Sequence, residues 1–387
     1  MKKFLLLFAA ISISLSAMSQ KGKVTSALSL IDQGVLDKAK EALDEAMVHE
    51  KSKNWFNTYF AQGRLCQAVY ETDNQAYKSL CADPLSSAYK AYEKAIELDE
   101  KGGMKKRIIT NMVYNSLALN LYNQGSALFE AKEFDAALKA FETQIEITES
   151  DKYAGAIDTG MYYNAGLAAV NSGKHEEAIK FFQKCADMKY LGVTPYFQIS
   201  ESYLAMGDTV KAESVLTGLE DKFPGDKNVK LNLIDLYIKS GKNDDALRLL
   251  GEAKAEDPSN FSLFFAEGII YLNMLKYDEA IASLEKSVEL NPEFFETQYG
   301  VGAAYINKAS EMFTKANDIM DVNEYSAAVD EATAVFAKAL PFMEKADQLK
   351  PNDQYTLQSL RELYYRLKMT DKYEEVKAKI ELLQQGQ

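Results

Sequence analysis

The residues of this chain that could carry out catalysis or hold a metal are two histidines, three cysteines and a large number of carboxylates. A thiol nucleophile needs an imidazole close by to take its proton. His49 and His175 stand far apart and read as helix-surface positions, so they offer neither that pair nor a His/Cys metal set. HExxH and GxSxG are both absent. Gly300 and Gly302 follow no strand pattern and read as small packing positions rather than a phosphate loop. Asn317, Asp318, Asp321, Asn323 and Glu324 superficially resemble a calcium loop, but they lack its glycine and ligand spacing. They read as a turn between two long helices. These residues therefore predict no enzyme, no metal and no cofactor, and the chemistry left to the chain is recognition.

Charge narrows what could be recognised. Lys and Arg number 44 against 57 Asp and Glu, a net charge of -13. Nucleic acid and anionic membranes both require a cationic surface, so this balance argues against them and favours a basic partner. The small basic cluster Lys105, Lys106 and Arg107 reads as a solvated helix start rather than a phosphate site.

The elements that must position any recognition surface announce themselves by repetition. Tyr203, Tyr237, Tyr271 and Tyr305 return every 34 residues, as do Ala212, Ala246 and Ala280, and Pro224, Pro258 and Pro292. A period of this length is a signature of stacked helical hairpins. Gly268 and Tyr271 share a face of one helix, while Ala280, Leu284 and Ser287 share a face of the next. Small residues at Gly268, Ala280 and Ser287 allow the two helices to approach closely, and Pro292 punctuates the turn that follows. Each hairpin leaves an apolar side that only a neighbouring hairpin can bury.

These residues resemble the tetratricopeptide repeat, and the resemblance covers nearly all of the chain after its first twenty residues. It implies an all-α, right-handed superhelical solenoid of about nine helix-turn-helix units over residues 20–387. Lys132 and Leu275 stand where the turn glycine is usual, so those two turns depart from the pattern. Cys66 replaces the usual Tyr of a first helix and Cys185 the usual Ala of a second; both read as small core residues. Cys81 lies in an insertion near Cys66, which leaves a bridge between them open, although the fold needs no staple.

If the resemblance holds, the first helices of successive units line a concave groove. One register of those helices carries Phe60, Tyr122, Tyr163, Phe197, Leu231, Phe265 and Tyr299, an aromatic stripe able to grip apolar anchors of a peptide or helix. The structural alternative is that such repeats place Tyr here for packing. A second register holds Asn171, Lys239, Asn273 and Asn307, whose amides could hydrogen-bond a peptide backbone. The family's clamp for C-terminal carboxylates uses Lys and Asn in the groove. Here its positions are aromatic, or hold Arg64, Ser126, Leu167, Glu201, Asp235, Ile269 and Ala303, so a chaperone-tail adaptor is not expected.

Two insertions interrupt the spacing. Gly63 to Ala88 takes 25 residues and Gly302 to Ala339 takes 37, against 12 from Gly268 to Ala280. Their composition predicts elongated hairpins near 64–87 and 303–338 with protruding tips. Asp83 and Pro84 mark the start of a second helix. Pro341 is expected to bend the long helix of the eighth unit rather than end it.

Residues 1–19 follow a different logic. Lys2 and Lys3 precede an apolar run from Phe4 to Ile11, and Ala17 and Ser19 are small residues before Gln20, the layout of a secretory signal peptide. The run is too short to span a bilayer, and no Cys stands at the cleavage point for lipid attachment. The expectation is an exported, unlipidated protein of the periplasm or cell envelope. It would serve as a non-catalytic scaffold binding a protein or peptide partner, with no nucleic acid and no integral membrane segment. A glycan- or nutrient-uptake accessory is the alternative.

Overall fold

The turns explain why this sequence divides into short antiparallel helices. The computed structural model describes residues 21–385, so the expected leader and Gln20 lie outside the described residues. At the turn inside a hairpin, Gly173, Gly207 and Gly241 adopt φ of 73°, 79° and 71°. The next amide then reaches back five residues, as in Lys174 N to Ala169 O at 2.8 Å. This left-handed closure satisfies carbonyls that the helix end leaves open. Lys132 and Leu275, where a departure was expected, form the same turn at φ of 63° and 59°. Lys276 N meets Tyr271 O at 2.9 Å, so the closure is retained without its glycine.

The described residues are all-α and contain no strand. They form two compact units, up to Val215 and from Leu216. In the first, α1 (21–32) pairs in sequence with α2 (Leu36–Val48), and α3 (Phe56–Glu71) with α4 (Pro84–Glu97). A short helix α5 (Gly103–Thr110) intervenes. Then follow α6 (Val113–Glu130) with α7 (Phe134–Glu149), α8 (Gly160–Asn171) with α9 (His175–Asp187), and α10 (Thr194–Ala205) with α11 (Thr209–Thr217), whose last residues already belong to the second unit. The second unit has a single turn α12 (Leu219–Lys222), then α13 (Lys227–Lys239) with α14 (Asn243–Glu256), and α15 (Phe261–Asn273) with α16 (Tyr277–Leu290). It continues with α17 (Phe295–Ala316), α18 (Val322–Ala337) and α19 (Leu340–Leu349), and ends on α20 (Gln354–Arg366) with α21 (Thr370–Gln385).

A notch and a knob close most hairpins. A β-carbon on Gly125 or Gly166 would lie 2.6 Å from the ring of Phe141 or Phe182, and one on Gly268 would lie 2.5 Å from Leu284. The missing side chain of the first helix is thus the space that the large residue of the second occupies. Ala137, Ala178, Ala246 and Ala280 are fully buried on the second helices, as the small-residue pattern requires. Ser287 is also buried, and its hydroxyl donates to Phe261 O at 2.9 Å.

The two insertions behave differently. The first does not lengthen both helices: after α3 the chain forms a 3-10 helix (Gln75–Leu80), and a disulfide joins Cys81 to Cys66 with their Cα atoms 5.8 Å apart. The reading of Cys66 as a plain core residue is corrected accordingly. Asp83 precedes α4 without capping it and instead pairs with Lys139 at 3.3 Å. In the second insertion α17 reaches 22 residues and α18 follows, capped by Asp321, whose carboxylate accepts from Asn323 N and Glu324 N at 2.9 and 3.0 Å. Pro341 does more than bend a helix. Its missing N–H breaks the ladder, Lys338 and Ala339 bond to carbonyls three residues back, and α19 begins anew although the dihedrals stay helical.

Candidate binding site

The aromatic register divides once its residues have neighbours. Phe60 is buried, 2% exposed, with the Arg107 guanidinium 4.0 Å from its ring centre, so it belongs to the core of its hairpin. Tyr163 is half-buried and lies edge-on to Phe182 at 5.5 Å and to Tyr190 at 6.3 Å. Burial raises its hydroxyl above the ordinary tyrosine range, with Cys185 and Tyr190 adding to the shift. Phe197 is half-buried on α10. In the second unit Phe265 is half-buried against Phe294, 5.5 Å away at 88°, and Tyr299 stacks on Phe295 at 6.1 Å. Leu231 is exposed on α13.

Tyr122 differs from the other aromatics, being 38% exposed. It borders a cleft of about 170 Å³ between α6 and α8, with Ser126, Phe129 and Glu130 on its own helix. Asn164 and Leu167 of α8 form the far side, and Phe141 lies at the cleft floor as the knob of the α6–α7 hairpin. Helical spacing explains the arrangement: Leu119, Tyr122, Ser126 and Phe129 or Glu130 recur three and four residues apart and so share one face of α6. Leu119 extends that face and is 60% exposed. Of these residues, the sequence reading singled out only Tyr122 as a site residue. Two more could have been found by extending the register, because the offset from Tyr122 to Tyr163 also takes Ser126 to Leu167.

The amide register is spread over α8, α13, α15 and α17. Asn171 is exposed and donates to Leu167 O of its own helix at 2.9 Å. Asn273 and Asn307 are exposed on α15 and α17, and Lys239 pairs with Asp235 at 2.7 Å. At the clamp positions Arg64 pairs with Asp32 at 3.2 Å, so this cation is already neutralised within the chain.

The remaining reactive groups sit apart from this surface. Burial pushes the Cys185 thiol up to about 11, which suppresses the thiolate. His49 Nδ1 accepts from Lys51 N at 3.2 Å, while His175 opens α9. Among the described residues, no group of three or more His, Cys, Asp or Glu is arranged to hold a metal ion.

Family models of the tetratricopeptide repeat match residues 203–266, and residues 159–190 and 261–294. The human protein O-mannosyl-transferase TMTC1 is 27% identical over 132 residues, which is 33% of this chain and 15% of that protein. The chain thus spans a small part of that relative. Among solved structures, MamA from Desulfovibrio magneticus RS-1 is 18% identical, with 50% of this chain and 99% of that one covered at a TM-score of 0.36. YrrB, described as a TPR protein with an unusual peptide-binding site, is 18% identical with 54% and 95% covered and a TM-score of 0.34. A TPR-repeat protein from Bacteroides fragilis is 19% identical, with 68% and 99% covered and a TM-score of 0.28. The matched segments contain the hairpins α8–α9, α13–α14 and α15–α16, and the same helical hairpin recurs before and after them. Residues 159–190 and 203–294 are thus tetratricopeptide repeats.

Proposed function

We propose that this chain is a non-catalytic interaction scaffold of the cell envelope, holding an extended or helical segment of another protein along its first helices. The observation that carries the reading is the cleft beside Tyr122, where an exposed aromatic borders an opening lined also by Phe129, Phe141 and Leu167. Stacked repeats build binding surfaces of this kind by aligning one helix of each unit. Aromatic anchors supply large contact area at low entropic cost.

The test pairs stability with affinity. A partner recovered from envelope extract is titrated against Tyr122→Ala, Phe197→Ala and Phe265→Ala. A contact residue leaves unfolding nearly unchanged and weakens binding by about 1 to 2 kcal/mol, whereas a core aromatic costs about 3 to 5 kcal/mol of stability. Tyr122 is expected to behave as a contact. Unchanged stability and unchanged affinity at all three positions would move the contact surface to the α17–α18 tip around Asp321 and Tyr325.

Export is part of the same proposal. The Cys66–Cys81 disulfide supports an oxidising compartment, in line with the basic-apolar-small pattern of residues 1–19. No helix among the described residues is long and apolar enough to cross a membrane. N-terminal sequencing of the protein from an envelope fraction is expected to begin at Gln20. A retained leader or a lipidated terminus would overturn this reading.

A further inference from the structure

We infer that the cleft between α6 and α8 takes a basic side chain, arginine or lysine, from the bound segment, with Glu130 receiving the cation and Tyr122 and Phe129 covering its aliphatic stem. This rests on the binding reading above and names what that site selects. The cleft, at about 170 Å³, is several times the roughly 30 Å³ that a water takes in the liquid, so it has room for a side chain.

Its lining is apolar or neutral apart from one carboxylate, that of Glu130. Some carboxylates of this unit have cations of their own: Asp32 has Arg64 at 3.2 Å, Asp135 has Lys174 at 2.8 Å and Glu149 has Lys184 at 3.3 Å. Among the described residues Glu130 has no such partner, and it lines the cleft together with Tyr122, Phe129 and Phe141. Ring faces carry negative charge and attract a cation, so the rings and the carboxylate act in the same direction. An acidic side chain is opposed by both, and further by the net charge of -13. Arginine and lysine satisfy the site fully because their stems lie along apolar surface while the charged head reaches a polar partner. The amide of Asn164, across the cleft from Glu130, supplies a second acceptor for a guanidinium.

The test uses N-acetyl-argininamide and its neutral counterpart N-acetyl-norleucinamide, titrated into the protein with its tyrosine rings isotopically labelled for NMR. The argininamide is expected to shift the Tyr122 ring, identified with Tyr122→Phe, and to bind about tenfold more weakly to Glu130→Gln, the loss of one charge-assisted contact. Glu130 is exposed and unpaired, so that variant should fold, which an unfolding curve verifies. Equal binding of the two amides, or binding of neither, overturns the inference. A randomised peptide library panned on the same protein separates this failure from that of the broader reading. Enriched peptides that depend on Tyr122 but carry no basic residue and ignore Glu130→Gln sink the cation assignment and leave the groove standing. Enriched peptides that ignore Tyr122→Ala sink both.

Discussion

Leu275 holds a backbone conformation that its own side chain opposes. At φ of 59° its Cβ crowds the carbonyl that follows, a penalty of about 1 to 2 kcal/mol that glycine does not incur. The side chain gains little in return, being 68% exposed. Leu275→Gly is therefore expected to raise stability by about 0.5 to 1 kcal/mol, the strain relief being partly offset by the greater freedom of glycine in the unfolded chain. Urea unfolding measures it, and a loss of stability would show that Leu275 makes contacts the structure does not reveal. Residue type alone marked this turn as an exception. The hairpin decides otherwise, because the packing of α15 on α16 fixes the path of the chain between them and the residue at the bend adapts to it.

At the scale of elements, the first insertion shows how a tether substitutes for a helix. The segment after α3 has neither the length nor the apolar periodicity to extend the hairpin, and its 3-10 helix buries none of its own residues. Cys66 and Cys81, 15 residues apart, hold it down. Closing a loop of that size removes entropy from the unfolded chain worth about 3 kcal/mol. Reduction is expected to lower stability by about that amount. The loss should appear in hydrogen exchange first across residues 66–81, because repeat arrays open locally. Reduction that leaves exchange in this segment unchanged would show that packing alone retains it. The sequence left the bridge open because the fold has other ways to bury a small residue in a first helix. Only the fold-back of the insertion brought the two sulfurs together.

Across each unit, the hairpins are tied by a recurring tyrosine–carboxylate link. Tyr114 of α6 donates to Glu93 of α4, and Tyr162 of α8 to Glu149 of α7 at 2.5 Å. In the second unit Tyr305 of α17 donates to Glu285 of α16 at 2.7 Å, and Tyr364 of α20 to Glu344 of α19 at 3.0 Å. Lysines join several of them, Lys152 reaching Glu93 at 2.9 Å and Lys372 reaching Glu344 at 2.6 Å. Burial first, and then the adjacent carboxylate, raises all four hydroxyls well above the ordinary tyrosine range. Unfolded tyrosines release their protons near pH 10 while the folded ones keep theirs, so above about pH 10 the unfolded state binds fewer protons and stability falls. Urea midpoints are expected to decline steadily above that pH, with a shallower decline in Tyr114→Phe and Tyr364→Phe. Phenolate absorbance rising well before unfolding would contradict the raised values.

The sequence by itself determined the repeat. A 34-residue period of small and aromatic residues fixes which faces meet inside a hairpin, since Gly166 can only be a notch if a large residue such as Phe182 fills it. It likewise pointed to a turn at Asn317, Asp318 and Asp321, although Asn323 and Glu324 fall in the first turn of α18, which Asp321 caps. What only the tertiary structure decided concerns neighbours from different elements. Phe60 and Tyr122 share one register, yet one lies under Arg107 and the other beside an open cleft. Register specifies direction along a single helix, whereas exposure depends on what the adjacent helix and the inserted α5 leave uncovered. The pairing of Cys66 with Cys81 and the isolation of Glu130 have the same origin, since both depend on distances across the fold that no local pattern encodes.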